Sequence, residues 1–488
     1  MFRSFLSVVA ITALLCSAAQ SKRLLEEEKE RLRAKYEEHN ERYRAGKESY
    51  RLGFNELSFL SKSEYRSSYL GYSKSIDRAM GKSEYAVHVE AGSGSSVVVD
   101  GEEVALDTPV DELPIAVDWR VATRWITPIK NQARCGSCWA YASTATLEFY
   151  VNKAANRTMT LSTEQITSCP ENLLQCGGTG GCSGATPSIA YDYVIRSKGV
   201  TDADYMPYTG GTNITCVGDA ISGDPSQEKF TCAEAATGQN PFTGENSTRM
   251  YATLTNYTIL PANDYVTMMN AIAKIGPIAI SIDAGSAADP NNPDADTFKS
   301  YSGGVFSGCD SKYGTNTTDL NHLMVLEGYG HDDESGEDFW LIRNSWRSNW
   351  GEGGYMRLKR TPQDATNCDW DNTPEDGFSC MLPNGPPDTL KVCGPCGMLS
   401  QGVIPLGATY LNQGTSKGLV YATSADATPA DVSTDDDDDS NEDLYFALMI
   451  TFAVLFGLTA SIVVLMKVNA NKYGSSMQGS SLTNPIHS

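Results

Sequence analysis

The sequence predicts an α+β globular unit over residues 113–405, and three observations carry that expectation. This stretch of the 488-residue chain holds most of the Trp- and Cys-bearing clusters able to form a core. The run Trp139–Tyr150 reads as a buried helix that Cys138 opens, and Asn321–Gly330 reads as an apolar strand. Composition is that of a globular protein, with 41% hydrophobic and 20% charged residues.

The flanks read differently. Met1–Ala19 has Arg3, a short apolar run over Phe5–Leu15, and small residues at Ser17 and Ala19, which is the pattern of a secretory signal cleaved before Gln20. Residues 20–112 form an upstream region: a charge-dense helix over about 22–45, an aromatic stretch to Tyr72, and a linker through Ala91–Ser96. Within the main unit, 217–250 and 284–300 are rich in Gly, Pro, Asp and Asn and read as surface insertions. Residues 406–443 read as an acidic disordered linker ending near Asp435–Asp439. Leu444–Met466 carries no charge and is long enough to cross a bilayer. Acidic residues precede it and Lys467 and Lys472 follow, so 467–488 is expected in the cytoplasm and the main unit on the other side. Sequons at Asn156, Asn213, Asn246, Asn256 and Asn316 fit a secretory route, as does the presence of thirteen cysteines. A formal net charge of -22 argues against nucleic acid as a partner.

The chemistry concentrates in three places. Gln132-Ala-Arg-Cys135-Gly-Ser-Cys138-Trp139 puts a thiol at the start of a helix, where the positive dipole end favours a thiolate, with a side-chain amide donor nearby. A thiol nucleophile needs a base, and His322 in the Asn321–Gly330 run is the suitable one, because His331 lies in an acidic solvated turn. Asn344-Ser-Trp346 supplies an amide oxygen that can orient an imidazole, with Trp346 and Trp350 to keep water away. The competing reading of Cys138 is a disulfide, or zinc held with the Cys393/Cys396 pair, but neither gives the Gln and Trp a purpose.

On these motifs the chain resembles the papain family of cysteine proteases, of the cathepsin L type, over roughly 113–405. Leu113–Arg120 looks like the start of the mature domain, and Gly276–Ala284 and Tyr301–Phe306 look like two further family strands. The resemblance implies a papain-like two-domain fold, a helical left domain and a β-barrel-like right domain with the active-site cleft between them. It implies Cys138 as nucleophile, His322 as general acid/base, Asn344 as orienting residue and Gln132 as oxyanion donor. No cofactor or metal is implied. Protein and peptide substrates would lie along Gly184 and Ala185, with Thr186, Pro187 and Ser281 lining a specificity pocket roomy enough for a bulky apolar side chain, and Trp346 bordering the cleft. The implied disulfides are Cys135–Cys182, Cys169–Cys216 and Cys309–Cys396.

Three departures stand out. Ala185 replaces a family Gly, Arg347 replaces the Gly that normally follows Asn-Ser-Trp, and the upstream motif Gly53–Tyr65 is degenerate, with Leu57 and Phe59 where Phe and Asp are usual. Residues 20–112 are nevertheless expected to act as an inhibitory prosegment. A His-rich occluding loop is missing from the sequence, which favours an endopeptidase over a dipeptidase. Two other functions use the same residues: a catalytically silent membrane receptor or adhesion protein on this scaffold, and a transpeptidase using the same thiol.

Overall fold

The computed structural model describes residues 27–71, 83–172, 178–209, 232, 250–285, 294–309, 314–372 and 389–411. Residues 36–418 group as one compact unit, and residues 1–35 with 419–488 group as another, of which 27–35 are described. The charge-dense upstream stretch is helical over 27–44 and mostly exposed.

After that helix the chain forms strand β1 (Tyr50–Leu52), helix α1 (Lys62–Tyr69) and strand β2 (Ala86–His88). Helix α1 begins on a reciprocal cap in which Ser61 and Glu64 satisfy each other's backbone N–H. The helical half follows with α2 (Cys138–Ala155), α3 (Thr163–Ser168) and α4 (Pro187–Arg196). Almost every side chain of α2 up to Asn152 is buried. Its hydroxyls tolerate this because Ser143, Thr144 and Thr146 donate to the carbonyls one turn back, of Trp139, Ala140 and Ala142. The buried Glu148 carboxylate accepts from Lys130, Thr127 and the Leu161 N–H, so its charge is compensated. The helix stops at Asn156 in the left-handed conformation.

The second half is a sheet built from β3 (Asn256–Ile259), β4 (Ile278–Ile282), β5 (Tyr301–Phe306), β6 (His322–Asp332), β7 (Glu337–Arg343), β8 (Tyr355–Lys359) and β9 (Gly402–Leu406), with α5 (Tyr265–Lys274) between β3 and β4. Its order is β1-β5-β8-β7-β6-β4-β9-β3-β2, and Val117–Asp118 also pairs with β6. Both outermost strands, β1 and β2, come from upstream of residue 113. Strand β6 is buried from His322 to Gly330, which is why it reads as a continuous apolar run rather than an alternating one. The core joins the halves: Trp139, Leu147 and Val151 of α2 and Ile189 of α4 cluster with Ala279, Leu323, Val325 and Val403 of the sheet.

Three expectations need correcting. Residues 91–96 are not a free linker but lead into a hairpin of Ser96–Val99 and Glu102–Ala105. Its turn, Asp100-Gly101, has positive φ at both residues (53° and 87°), the Asp-Gly hairpin signal that the composition of the stretch obscured. The end of the 284–300 stretch is not surface: Phe298 and Ser300 are buried, and Phe298 packs edge-on against Trp346. Cys169 pairs with Cys232, not with Cys216; the Cα atoms of the pair lie 5.3 Å apart, within disulfide reach. Cys216 lies outside the described residues. The structure also joins Cys135 to Cys182, Cys309 to Cys396 and Cys368 to Cys393.

The segments 1–19 and 444–466 lie outside the described residues, and among the described residues no helix is long and apolar enough to cross a membrane. Leu147 is fully buried where helix meets sheet. Leu147→Ala is expected to lower unfolding free energy by about 2–5 kcal/mol, read from the denaturant midpoint.

Candidate active site

Cys138 is the first residue of α2 and is fully buried; among the described residues it is the cysteine outside a disulfide. The Cys135–Cys182 bridge and the Gly136 N–H to Cys182 carbonyl bond (3.0 Å) pin the loop that delivers it. Gly136 has no room for a side chain, since a Cβ there would sit 2.4 Å from the Cys182 carbonyl oxygen. Across from α2, β6 begins at His322, and the next residue, Leu323, shares the buried cluster of Cys138.

His322 is held through one nitrogen. Its Nε2 lies 2.9 Å from Asn344 Oδ1, and the Ser345 N–H donates to the same oxygen at 2.8 Å. That second bond identifies the Asn344 atom as the acceptor oxygen, so Nε2 carries the proton and Nδ1 of the neutral ring is a free base. Nδ1 has no hydrogen-bond partner among the described residues. The Trp346 ring stacks on the imidazole with centroids 4.7 Å apart, and Trp350 packs edge-on against Trp346 at 5.3 Å. The shielding expected of these two tryptophans is therefore layered, with Trp346 in contact and Trp350 behind it.

Gln132 ties the two halves together. Its N–H donates to the Ser345 carbonyl (2.9 Å), its Oε1 accepts from the Ser345 hydroxyl (2.6 Å), and the Arg347 N–H donates to the Lys130 carbonyl (3.2 Å). Two backbone carbonyls on the other side-chain atom fix the amide orientation, because they can only accept, so Nε2 is the donor pointing into the cleft. It donates to the Cys135 carbonyl (2.9 Å) and to the carbonyl of Tyr69 (2.8 Å).

The upstream segment occupies this site. Tyr65 and Tyr69 meet Trp346 edge-on at 5.6 and 6.1 Å, and the Tyr65 hydroxyl donates to the Ala284 carbonyl. Gly71 then lies so close to Gly136 that a Cβ at 71 would fall 1.9 Å from the Gly136 carbonyl oxygen. Arg66 pairs with Asp319 at 2.9 Å, and Lys299 donates to the Leu60 carbonyl. The degenerate motif still forms its turn: Asn55 Oδ1 accepts from the Leu57 N–H, and Leu57 is buried.

Covered in this way, both reactive groups are uncharged. Burial pushes the Cys138 thiol up to about 11, against the pull of the N–H groups of Leu323, Gly71, Trp139 and Cys138 itself. Burial pushes the His322 imidazole down to about 4, with the Asn344 bond acting the other way.

The remaining expected residues lie in varied settings. Gly184 takes φ +89°, and Ala185 is buried in the same apolar cluster as Cys138 and Ile189. Thr186 caps α4 by accepting from the Ile189 N–H, with Pro187 in the first turn, a start that suits both residue types. Ser281 is buried opposite Leu323, and its hydroxyl has no partner among the described residues. Asn156 caps α2, Asn256 begins β3 and Asn316 is exposed in a turn, whereas Asn213 and Asn246 lie outside the described residues.

A family model described as papain family cysteine protease matches residues 113–375. This chain belongs to the papain family. Ananain of Ananas comosus is 32% identical over 313 residues, covering 64% of this chain and 69% of that protein. A cathepsin L-like peptidase of Aedes aegypti is 29% identical, covering 67% and 78%. The oryzain beta chain of Oryza sativa subsp. japonica is 30% identical, and the match spans about half of its length (52%). Among solved structures, a digestive procathepsin L2 proteinase from Tenebrio molitor larval midgut is 25% identical with a TM-score of 0.50, covering 78% of this chain and 90% of that one. The fold is papain-like.

Sequence motifs missed the supports of the papain-family site. Buried Asp369 accepts from the N–H groups of Asn316, Thr317 and Thr318, and Asp371 accepts from the Leu320 N–H. Together they brace the loop leading into His322. The signal was the alternation Cys368-Asp-Trp-Asp371, which places both carboxylates on one face of a strand.

Burial of neutral His322 has a pH consequence. An unfolded chain binds its proton near pH 6.5 and the closed protein only near 4. The unfolded state therefore holds the extra proton between those values, and stability falls as pH drops through that window. The loss from this group is about 3 kcal/mol. Denaturant unfolding of the Cys138→Ala protein at both ends of the window, with and without His322→Leu, isolates it; the leucine variant should lose less on acidification.

Proposed function

We propose that the protein is a cysteine endopeptidase, made as a zymogen, that hydrolyses peptide bonds through a Cys138 thioester. What supports this is a free His322 Nδ1 with its Nε2 held by Asn344, together with the Cys138 thiol at a helix start. His322 takes the thiol proton through Nδ1 as the sulfur attacks the peptide carbonyl, and gives it to the leaving amine. Asn344 keeps the ring in that tautomer. Gln132 Nε2 and the Cys138 N–H stabilise the negative oxygen of the tetrahedral intermediate. Water then attacks the thioester, His322 accepts its proton, and the peptide acid and the thiol are regenerated.

The same reading explains the upstream segment. A carbonyl, that of Tyr69, already sits on the Gln132 donor, so residues 20–112 fill the place of a substrate until they are cut away. Family relatives with proenzyme forms support an own-prosegment inhibitor. Entry through a signal at 1–19, glycosylation at the exposed sequons, and type I anchoring by 444–466 in an acidic lysosome- or vacuole-like compartment or at the cell surface complete the proposal.

Fluorogenic dipeptide substrates after acid activation test the chemistry. Cys138→Ala should abolish turnover, and Gln132→Ala should lower kcat by about 100- to 1000-fold. Equal turnover by wild type and Cys138→Ala would exclude the enzyme. The anchor is checked separately: after alkaline carbonate extraction the full-length protein should stay with the membranes, and its release would exclude a spanning segment.

A further inference from the structure

Two arginines flank the join between Gln132 and Ser345, and the upstream segment meets both with acidic groups. Arg347 Nη1 lies 3.4 Å from Glu56 Oε2. Arg134 is exposed on the same loop as Gln132, and its positive charge acts electrostatically on Glu56, Glu64 and Tyr69. Both arginines are exposed even with the segment in place.

Arg347 has φ +64°, in the region that favours glycine, at the position where the family pattern has one. The strand contact to Lys130 holds it there. Ala133, with φ +50°, turns the chain in front of Arg134. A glycine at 347 would relieve the backbone, yet the chain keeps a cation.

The upstream segment also fixes where this charge lies relative to the reacting bond. It runs from Glu56 by Arg347, past Tyr65 and Tyr69 on Trp346, to the Tyr69 carbonyl on Gln132 and Gly71 on Gly136. Glu56 is thus on the Trp346 side of the site, away from the Gly136–Cys182 wall. When residues before 113 leave, Glu56, Glu64 and Tyr69 leave with them.

We propose that Arg134 and Arg347 form a cationic subsite on the Trp346 side of the cleft, which takes an acidic side chain of the peptide substrate and is filled by Glu56 in the proenzyme. This rests on the peptidase reading above. The net charge of -22 repels acidic peptides at long range, so the preference must come from close contact and must weaken with salt.

Internally quenched peptides in which Glu or Gln is scanned along both sides of the cleaved bond provide the first test, on acid-activated enzyme. At low salt, Glu should exceed Gln in kcat/KM by roughly twofold to fivefold at one position on the Trp346 side. The ratio should fall toward one at about 0.5 M salt, and should be lost in the Arg134→Gln/Arg347→Gly variant. A ratio of one at every position in the wild type, or a ratio unchanged in the variant, overturns the proposal.

The second test needs no turnover. In the intact full chain, alkylation of Cys138 by iodoacetamide, located by mass spectrometry, reads how often the upstream segment lifts. Glu56→Gln should raise that rate by about threefold at low salt and add little in an Arg134→Gln/Arg347→Gly background. Equal rates for wild type and Glu56→Gln overturn the proposal even if no peptide is hydrolysed. Loss of turnover with the Glu56 effect intact would count against the peptidase reading alone.

Discussion

The join between residues 130–132 and 345–347 sets the geometry on which the rest of the site depends. Gln132 belongs to the loop that leads into α2 and Cys138; Ser345 belongs to the loop that carries Asn344 and Trp346. Two hydrogen bonds between Gln132 and Ser345, and a third from Arg347 to Lys130, fix one loop against the other. The Ser345 N–H also fixes Asn344 Oδ1, which in turn fixes the His322 ring. A single residue, Ser345, therefore sets both the amide that faces the Tyr69 carbonyl and the tautomer of the base. Neither role is visible in a motif that names only Asn and Trp.

The chemistry-bearing residues were legible because each had an unusual requirement. A thiol beside a tryptophan at a helix start, a histidine in an apolar strand and an amide before a tryptophan each make poor structural sense alone. The continuous apolar run of β6 was legible for the same reason, as a strand buried on both faces. What stayed hidden depended on pairing across long separations. Asp369 and Asp371 look like ordinary acidic residues until the loop at 316–320 is folded onto them. The hairpin at Ser96–Ala105 was obscured by its own composition, and the Cys169 partner was hidden because the chain carries more than one candidate cysteine after it.

Charge neutrality is the thread through the closed form. Burial pushes the Cys138 thiol up to about 11 and the His322 imidazole down to about 4, and both shifts work against a thiolate–imidazolium pair. Both shifts have burial as their first cause, and the upstream segment lies directly over the site. The segment therefore keeps both groups in the burial that favours their neutral forms.

The sheet gives the upstream segment a third part. Strands β1 and β2 stand at its two outer ends, so β5 and β3 are interior strands only while those residues remain. Removal of residues 20–112, as proposed, would turn two satisfied neighbours into two bare borders of backbone N–H and C=O groups. In the full chain a strand from upstream covers each of those borders. The finished enzyme must do without that seal, and a chain that unfolds after cleavage has lost the two strands that closed its sheet the first time.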